Sequence, residues 1–363
     1  MKKKIFSIFT FLIFFNSVKS QEVLNHTQPA NNFSKGENLF DTEGILDITL
    51  KGNIGDLLKN RKKEAKYFPL ILTYKKEKVK EVSIQLQVKT RGHFRRIKSN
   101  CTYPPLLLKF PGGQNSTDYF PENSSLKLVM PCMGEEYIVH EWLVYKLYNL
   151  VTTKSFRARL VKVTLQDEDD KKIAEPFYGI ILEEEKQVAK RNNDVILKKK
   201  IRPQEVMQPS FLKMAMFEYL IANTDWSVEY LQNIKLIASD SNGAPVAVPY
   251  DFDLAGIVNS PYAKPAGELQ MNSVRERRYR GYCVRDMKLF DSTIAFYNGL
   301  KNRIYDTYTS CSLLDSKYVK FVVKFLDEFY ATINNPKLLK QEFQYPCDPS
   351  GTGNVIIKGL RKE

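Results

Sequence analysis

Apolar residues alternate with polar ones through much of the first half of the chain and recur every three or four positions through much of the second. Val82, Ile84, Leu86 and Val88 are separated by polar residues, the period of a strand with one wet face. Together with Ile45–Leu50, Phe68–Tyr74, Tyr103–Phe110 and Leu126–Met130, this segment predicts five strands from its Val, Ile, Leu and Tyr content. Gly112-Gly113 and Asn123-Ser124 punctuate the loops. The period then changes. Val139, Leu143 and Leu147 recur every four residues, and Ile138, Trp142 and Leu150 widen the stripe into an amphipathic helix from Glu136 to Leu150. Strand character returns at Ala158–Leu165 and Phe177–Leu182. Beyond a charged stretch from Glu183 to Lys200, helices are predicted at Pro209–Ala222, Met287–Leu300 and Ser316–Ile333.

The fold class is therefore α+β. Residues 44–186 form a β-rich N-terminal lobe with one helix, residues 187–345 a helical C-terminal lobe, and 346–363 a tail. The charge runs Lys59–Lys66 and Lys75–Lys80 read as solvated faces.

The first twenty residues carry a different pattern. Lys2, Lys3 and Lys4 precede an apolar run from Ile5 to Phe15, too short to span a bilayer, with Val18 and Ser20 before Gln21. This is the order of a secretory signal peptide, with a polar arm at 21–43 behind it. No later stretch is long and apolar enough to cross a membrane. Export predicts a periplasmic, cell-surface or extracellular protein. Loss of residues 1–20 lowers the net charge from +14 to +10, so the surface stays basic. Outside the cytosol that basicity points to an acidic surface, a phosphorylated ligand or an anionic lipid head group rather than nucleic acid.

Export also permits disulfides among the five cysteines. Cys101 precedes one apolar segment and Cys132 follows another. If the two strands are antiparallel partners, the thiols share one end, which predicts a Cys101–Cys132 bridge; small buried hydrophobes are the alternative. Cys283, Cys311 and Cys347 leave at least one thiol unpaired within the chain, and their pairing stays open. No CxxC spacing, GxSxG elbow, HExxH, Walker A loop or EF-hand loop occurs.

The densest chemical signal runs from Asn223 to Gly256, NTDWSVEYLQNIKLIASDSNGAPVAVPYDFDLAG. Asp225 follows a helix. Asn233 opens a strand, Ser241-Asn242-Gly243 turns it, and Val246–Pro249 returns to Asp251-Phe252-Asp253. A hairpin brings Asn233 and Asp251 to the same end. An amide oxygen and a carboxylate there are hard ligands suited to Mg²⁺, and a nearby second carboxylate can deprotonate a hydroxyl. Those are the parts of phosphoryl transfer.

This segment resembles the catalytic loop, hairpin and metal-binding Asp-Phe-Gly region of protein-kinase-like folds, closest to the spore-coat kinases (CotH) and more distantly to HipA-type kinases. The resemblance covers roughly residues 82–330 as an ordering of elements. It implies a two-lobe kinase-like architecture, Asp225 as catalytic base, Asn233 and Asp251 as metal ligands, and Asp253 as support for the metal or as a turn cap. It further implies that Lys127, or its rival Lys109, pairs with Glu141 to hold nucleotide phosphates, and that Glu183 ends the hinge strand beside adenine. The departures are a longer Asp225-to-Asn233 interval and a turn carrying Arg91, Arg95 and Arg96 in place of a glycine-rich loop, where these arginines would hold phosphates by charge.

The function implied is an exported kinase that binds ATP with Mg²⁺ and phosphorylates a secreted or surface protein. The basic run Arg275–Gly281 suggests an acidic substrate or an internal clamp on the metal-site carboxylates. A pseudokinase or scaffold on the same fold and a metal-dependent phosphohydrolase are the competing readings.

Overall fold

The computed structural model describes residues 38–352, apart from 77–79, 113–118, 170 and 172, together with residue 355. The expected leader at 1–20, most of the arm at 21–43 and much of the terminal tail lie outside the described residues. Seven strands carry the N-terminal half: β1 (Leu46–Gly52), β2 (Phe68–Lys76), β3 (Lys80–Thr90), β4 (Leu106–Lys109), β5 (Ser125–Val129), β6 (Ala158–Gln166) and β7 (Phe177–Leu182). They close into a barrel in the order β1-β2-β3-β4-β5-β7-β6. Every pairing is antiparallel except β1 with β6, where Leu46 lies beside Val161 and Leu50 beside Leu165. Alternation explains the closure. Leu46, Ile48, Leu50, Leu70, Leu72, Ile84, Leu86, Leu106, Leu108, Leu126 and Leu128 all turn inward into one core. The expectation of strands with one wet face holds, and the sheet wraps round so that no edge is left to pair elsewhere.

Among the described residues the β-rich lobe holds two α-helices before its last strand, not the one expected. α1 (Ile54–Lys59) is a single turn and a half capped by Asn53, whose side chain accepts from the Asp56 amide at 3.0 Å. It is too short to leave a periodic signal. α2 (Glu136–Val151) is the predicted helix, but it has almost no solvent face: Ile138, Val139, His140, Glu141, Leu143, Val144, Tyr145, Leu147 and Tyr148 are all buried.

The C-terminal half contains α3 (Glu185–Arg191), α4 (Gln208–Leu220), α5 (Asp291–Thr309), α6 (Ser316–Ile333) and α7 (Pro336–Phe343). It is not purely helical. β8 (Val195–Leu197), β9 (Ile234–Ala238) and β10 (Val246–Pro249) form a small antiparallel sheet in the order β10-β9-β8. The hairpin β9–β10 was legible; β8 and α3 sit in the charged stretch, where too few apolar residues mark them. The main core runs from α2 through α4, β9 and β10 to α5 and α6. α2 thus also packs on β6 and β7, joining barrel and helices.

Two disulfides staple the fold, Cys101–Cys132 and Cys283–Cys347, with Cα separations of 4.3 and 4.6 Å. Cys311 is free and half-buried. Two bridges suit an oxidising compartment.

His140 fastens α2 to the far side of the core. Its Nδ1–H donates to the Val258 carbonyl at 3.0 Å, and its ring stacks on Tyr318 with centroids 3.4 Å apart. Tyr318 in turn donates its hydroxyl to Ile257 O at 2.7 Å. Burial lowers the His140 pKa to about 4, against the pull of the Val258 hydrogen bond and Asp315. A group whose pKa is lowered by folding contributes fully above its unfolded value and loses that contribution as pH falls. Relative to a His140→Gln variant, wild-type stability should therefore drop by up to about 3 kcal/mol between roughly pH 6.5 and pH 4. Urea unfolding of both proteins across that range measures it; parallel curves would contradict it.

Candidate functional site

α4 ends at Leu220, and Ala222 turns the chain with φ +52°. Gly256 comes so close here that a Cβ on it would lie 2.3 Å from Val274 O and 2.9 Å from the Ala222 Cβ, so only glycine fits. Beyond the turn, Asn223 accepts the Asp225 amide on Oδ1 at 3.1 Å. The Asp225 carboxylate then receives Asn233 Nδ2 at 2.9 Å and Gln232 Nε2. The long interval between Asp225 and Asn233 is drawn shut by reciprocal backbone hydrogen bonds between Ser227 and Gln232, each 3.0 Å. Asn233 and Asp251 flank the β9–β10 hairpin with φ of +51° and +67°, left-handed conformations that Asn and Asp tolerate better than other non-glycine residues. Tyr145 on α2 holds the Asp251 turn by accepting its backbone N–H at 2.9 Å.

Asp251 faces a cavity of about 430 Å³ whose walls include Arg91, Lys127, Asp225, Asn233 and Asp253. Lys127, projecting from β5, reaches Asp251 Oδ1 with Nζ at 2.7 Å. Burial would raise the Asp251 carboxyl, but Lys127, Arg95 and Arg91 hold it below the usual range. About a third of the Asp251 side chain stays accessible.

Glu141 takes a different partner from the one expected. It lies 3.6 Å from Arg95, not against Lys127. Arg95 also approaches Asp253 Oδ2, at 3.7 Å, and Tyr262 donates its hydroxyl to that same oxygen at 3.2 Å. One guanidinium serves two buried carboxylates. Burial pushes Glu141 up to about 8, against the pull of Arg95. Burial also raises Asp253. Asp225 is raised to about 6, chiefly by burial and then by Asp253 and Asp251.

The fold thus gathers Arg91, Lys127, Glu141, Asp225, Asn233, Asp251 and Asp253 in or directly behind one cleft. Lys109 and Glu183 are elsewhere. Lys109 is exposed on β4, 5.8 Å above the Tyr67 ring, and borders a separate groove with Lys51 and Glu168. Glu183 is saturated: Arg157 and Arg191 bond its oxygens at 2.9 to 3.2 Å. The basic run does not reach the carboxylates as hydrogen-bond donor. Arg277 lies over the Phe325 ring and donates to the Leu220 and Phe325 carbonyls, and Arg278 donates to Tyr345 and Thr352. Of the turn arginines expected at phosphates, only Arg91 is left for the cleft: Arg95 goes to Glu141 and Asp253 and Arg96 to Lys63 O, while nothing in the sequence singles out Tyr145, Gln232 or Tyr262. Tyr145 stands one helical turn beyond Glu141, a spacing that puts both on one face.

Among the described residues no three His, Cys, Asp or Glu side chains form a group that would hold a metal by themselves. Asn233 spends its Nδ2 on Asp225, which leaves Oδ1 as an acceptor, and Asp251 has one oxygen not taken by Lys127. Two hard oxygens suit Mg²⁺ when ligand oxygens and water complete its shell.

No family model matches the sequence, and no curated protein matches it. Among solved structures, the crystal structure of a Helicobacter pylori proinflammatory kinase, CtkA, is similar at 12% identity, covering 67% of this chain and 89% of that one, with a TM-score of 0.36. So loose a likeness adds no weight to the geometry above.

Burial raises the Glu141 carboxyl to about 8, which assigns it a proton at neutral pH, so Glu141→Gln should cost less than about 1 kcal/mol. Arg95→Met, which strips the cation from the Asp253 carboxylate, should cost about 3 kcal/mol. Denaturant midpoints test this; equal losses in the two variants would refute the assignment of the proton.

Proposed function

We propose that the protein is an exported phosphotransferase of the CotH kind, on a kinase-like two-lobe fold, that binds ATP with Mg²⁺ and phosphorylates a secreted or cell-surface protein. The observation carrying this reading is the contact of Lys127, from the barrel, with Asp251, from the hairpin exit, in the cleft that also holds Asn233 and Asp225. A cation and an oxygen-ligand pair facing one cavity match the needs of a nucleotide triphosphate.

In this reading Asp251 and Asn233 hold Mg²⁺, which when bound neutralises charge on the phosphate oxygens. Lys127 exchanges its Asp251 contact for a phosphate, and Arg91 adds a second positive charge at the wall. Asp225, oriented by Asn223, Gln232 and Asn233, would accept the hydrogen bond of the acceptor hydroxyl and take its proton as the new O–P bond forms and the bond from the γ-phosphorus to the β,γ-bridging oxygen breaks, ADP carrying away that electron pair. Asp253 is held by Arg95 and Tyr262, so it supports the site from behind. Glu183 and Lys109 have no part.

The competing pseudokinase reading draws on the same contacts. Lys127 is hydrogen-bonded to Asp251, and Arg95 is ion-paired with Glu141 and Asp253, so both cations already face carboxylates of the chain itself.

Calorimetric titration of Mg-ATP and radiolabel transfer separate the two. Asp251→Ala should abolish Mg-dependent nucleotide binding, and Lys127→Met should weaken it without unfolding the chain. Asp225→Ala should leave affinity intact while lowering turnover at least ~100-fold. Binding without transfer would favour the pseudokinase, and no Mg-dependent binding by the wild type would sink both as nucleotide proteins.

A further inference from the structure

Arg95 differs from its neighbours in the arginine turn. Arg96 donates outward to Lys63 O at 3.1 Å, and Arg91 lines the cleft wall. Arg95 alone is buried, 7% exposed, between Glu141 of α2 and Asp253 beyond β10. Few features of a surface turn would drive a guanidinium into the interior, so something must hold the turn down.

The Cys101–Cys132 bridge lies directly beneath it. The two half-cystines and Tyr262 form one small buried cluster, with Phe94 and Leu254 packed against it. Phe94 precedes Arg95, and its ring meets Tyr262 at 5.9 Å; the Arg95 guanidinium lies 5.8 Å from the same ring. Leu254 follows Asp253. The segment between turn and bridge is fastened too: Cys101 N donates to Ile97 O, and Asn100 Nδ2 donates to Phe94 O at 3.1 Å. Arg61 grips the Cys101 and Thr102 carbonyls at 2.8 and 2.6 Å, and Thr102 N donates to Cys132 O. Apolar contact with the bridge thus reaches the residues on either side of the Arg95–Asp253 contact, and Tyr262 besides.

We propose that Arg95 is the positioning residue of the cleft, seated by the Cys101–Cys132 bridge, so that the redox state of this bridge sets the order of the Asp251–Leu254 segment. The proposal concerns cleft geometry and stands whatever ligand the cleft takes. A dithiol reductant opens the bridge by exchange: its two thiols become a cyclic disulfide, and the two protons and two electrons they lose convert the protein disulfide into two thiols. The turn then loses its apolar seat, Arg95 is released toward water, and Asp253 loses its cation.

Hydrogen–deuterium exchange of the full chain tests this without a nucleotide. In Cys101→Ser/Cys132→Ser, amides at 94–103 and at 251–254 should both exchange at least about tenfold faster. In Arg95→Gln, with the bridge intact, only 251–254 should speed up. In Cys283→Ser/Cys347→Ser neither segment should change, because that bridge does not touch the cleft cluster. If the serine variants fail to fold, mild dithiothreitol on the native protein, with alkylation to identify the opened bridge, provides the same comparison, and reoxidation should restore protection at both segments. Faster exchange confined to 94–103, or unchanged 251–254 in Arg95→Gln, would overturn the proposal.

Discussion

The cleft depends on one helix having almost nowhere to put a polar group. α2 is enclosed by the barrel on one side and by the helical core on the other, and its buried residues with polar atoms include His140, Glu141 and Tyr145. Each buried polar group needs a partner or neutralisation. His140 finds the Val258 carbonyl, Tyr145 finds the Asp251 amide, and Glu141, its carboxyl raised by burial, faces Arg95 at 3.6 Å. All three partners lie outside the helix, two of them in the chain that leaves β10. The requirement to satisfy α2 therefore fixes where Asp251, Asp253 and Val258 stand.

Charge in the cleft is arranged with similar economy. Lys127 holds the Asp251 carboxyl below the usual range, while Asp225, which makes no ion pair among the described residues, is held by amide donors and is raised toward neutrality by burial and by the two other carboxylates. One carboxylate is thereby kept as an anion and a second placed near the pH at which it can exchange a proton. Environments that push like groups apart are the usual way a site divides roles between them.

Much of this was legible in the sequence. The strands of the barrel and the hairpin at Asn233–Asp251 carry one buried face each, so their period reports them. The hairpin brings Asn233 and Asp251 to one end, and the resemblance added Asp225 with Lys127 and Lys109 as rival lysines. What alternation cannot report is closure: nothing in Leu46–Gly52 says that it lies beside Ala158–Gln166. Nor can it rank side chains of one type. Lys109 and Lys127 both sit on short strands and read alike, and only their places on the barrel send one to a tyrosine ring and the other to Asp251. Arg91, Arg95 and Arg96 are equally indistinguishable until burial selects Arg95. Glu183 ends a strand at the expected position, yet Arg157 and Arg191 claim it from segments whose approach no local pattern foretells.

The parallel contact between β1 and β6 also sets an order of events. Roughly 115 residues separate Leu46 from its neighbour Val161, whereas Cys101 and Cys132 are 31 apart and their strands are joined through adjacent hairpins. Loops that long close slowly, and contacts across them come after local ones. As the chain emerges from its N-terminus, β2 to β5 can pair and the first cysteine bridge can form while β1 still waits for its neighbour. The barrel is then completed from its far side, by the arrival of β6 and β7, with α2, which precedes both in the chain, already synthesised to pack against them.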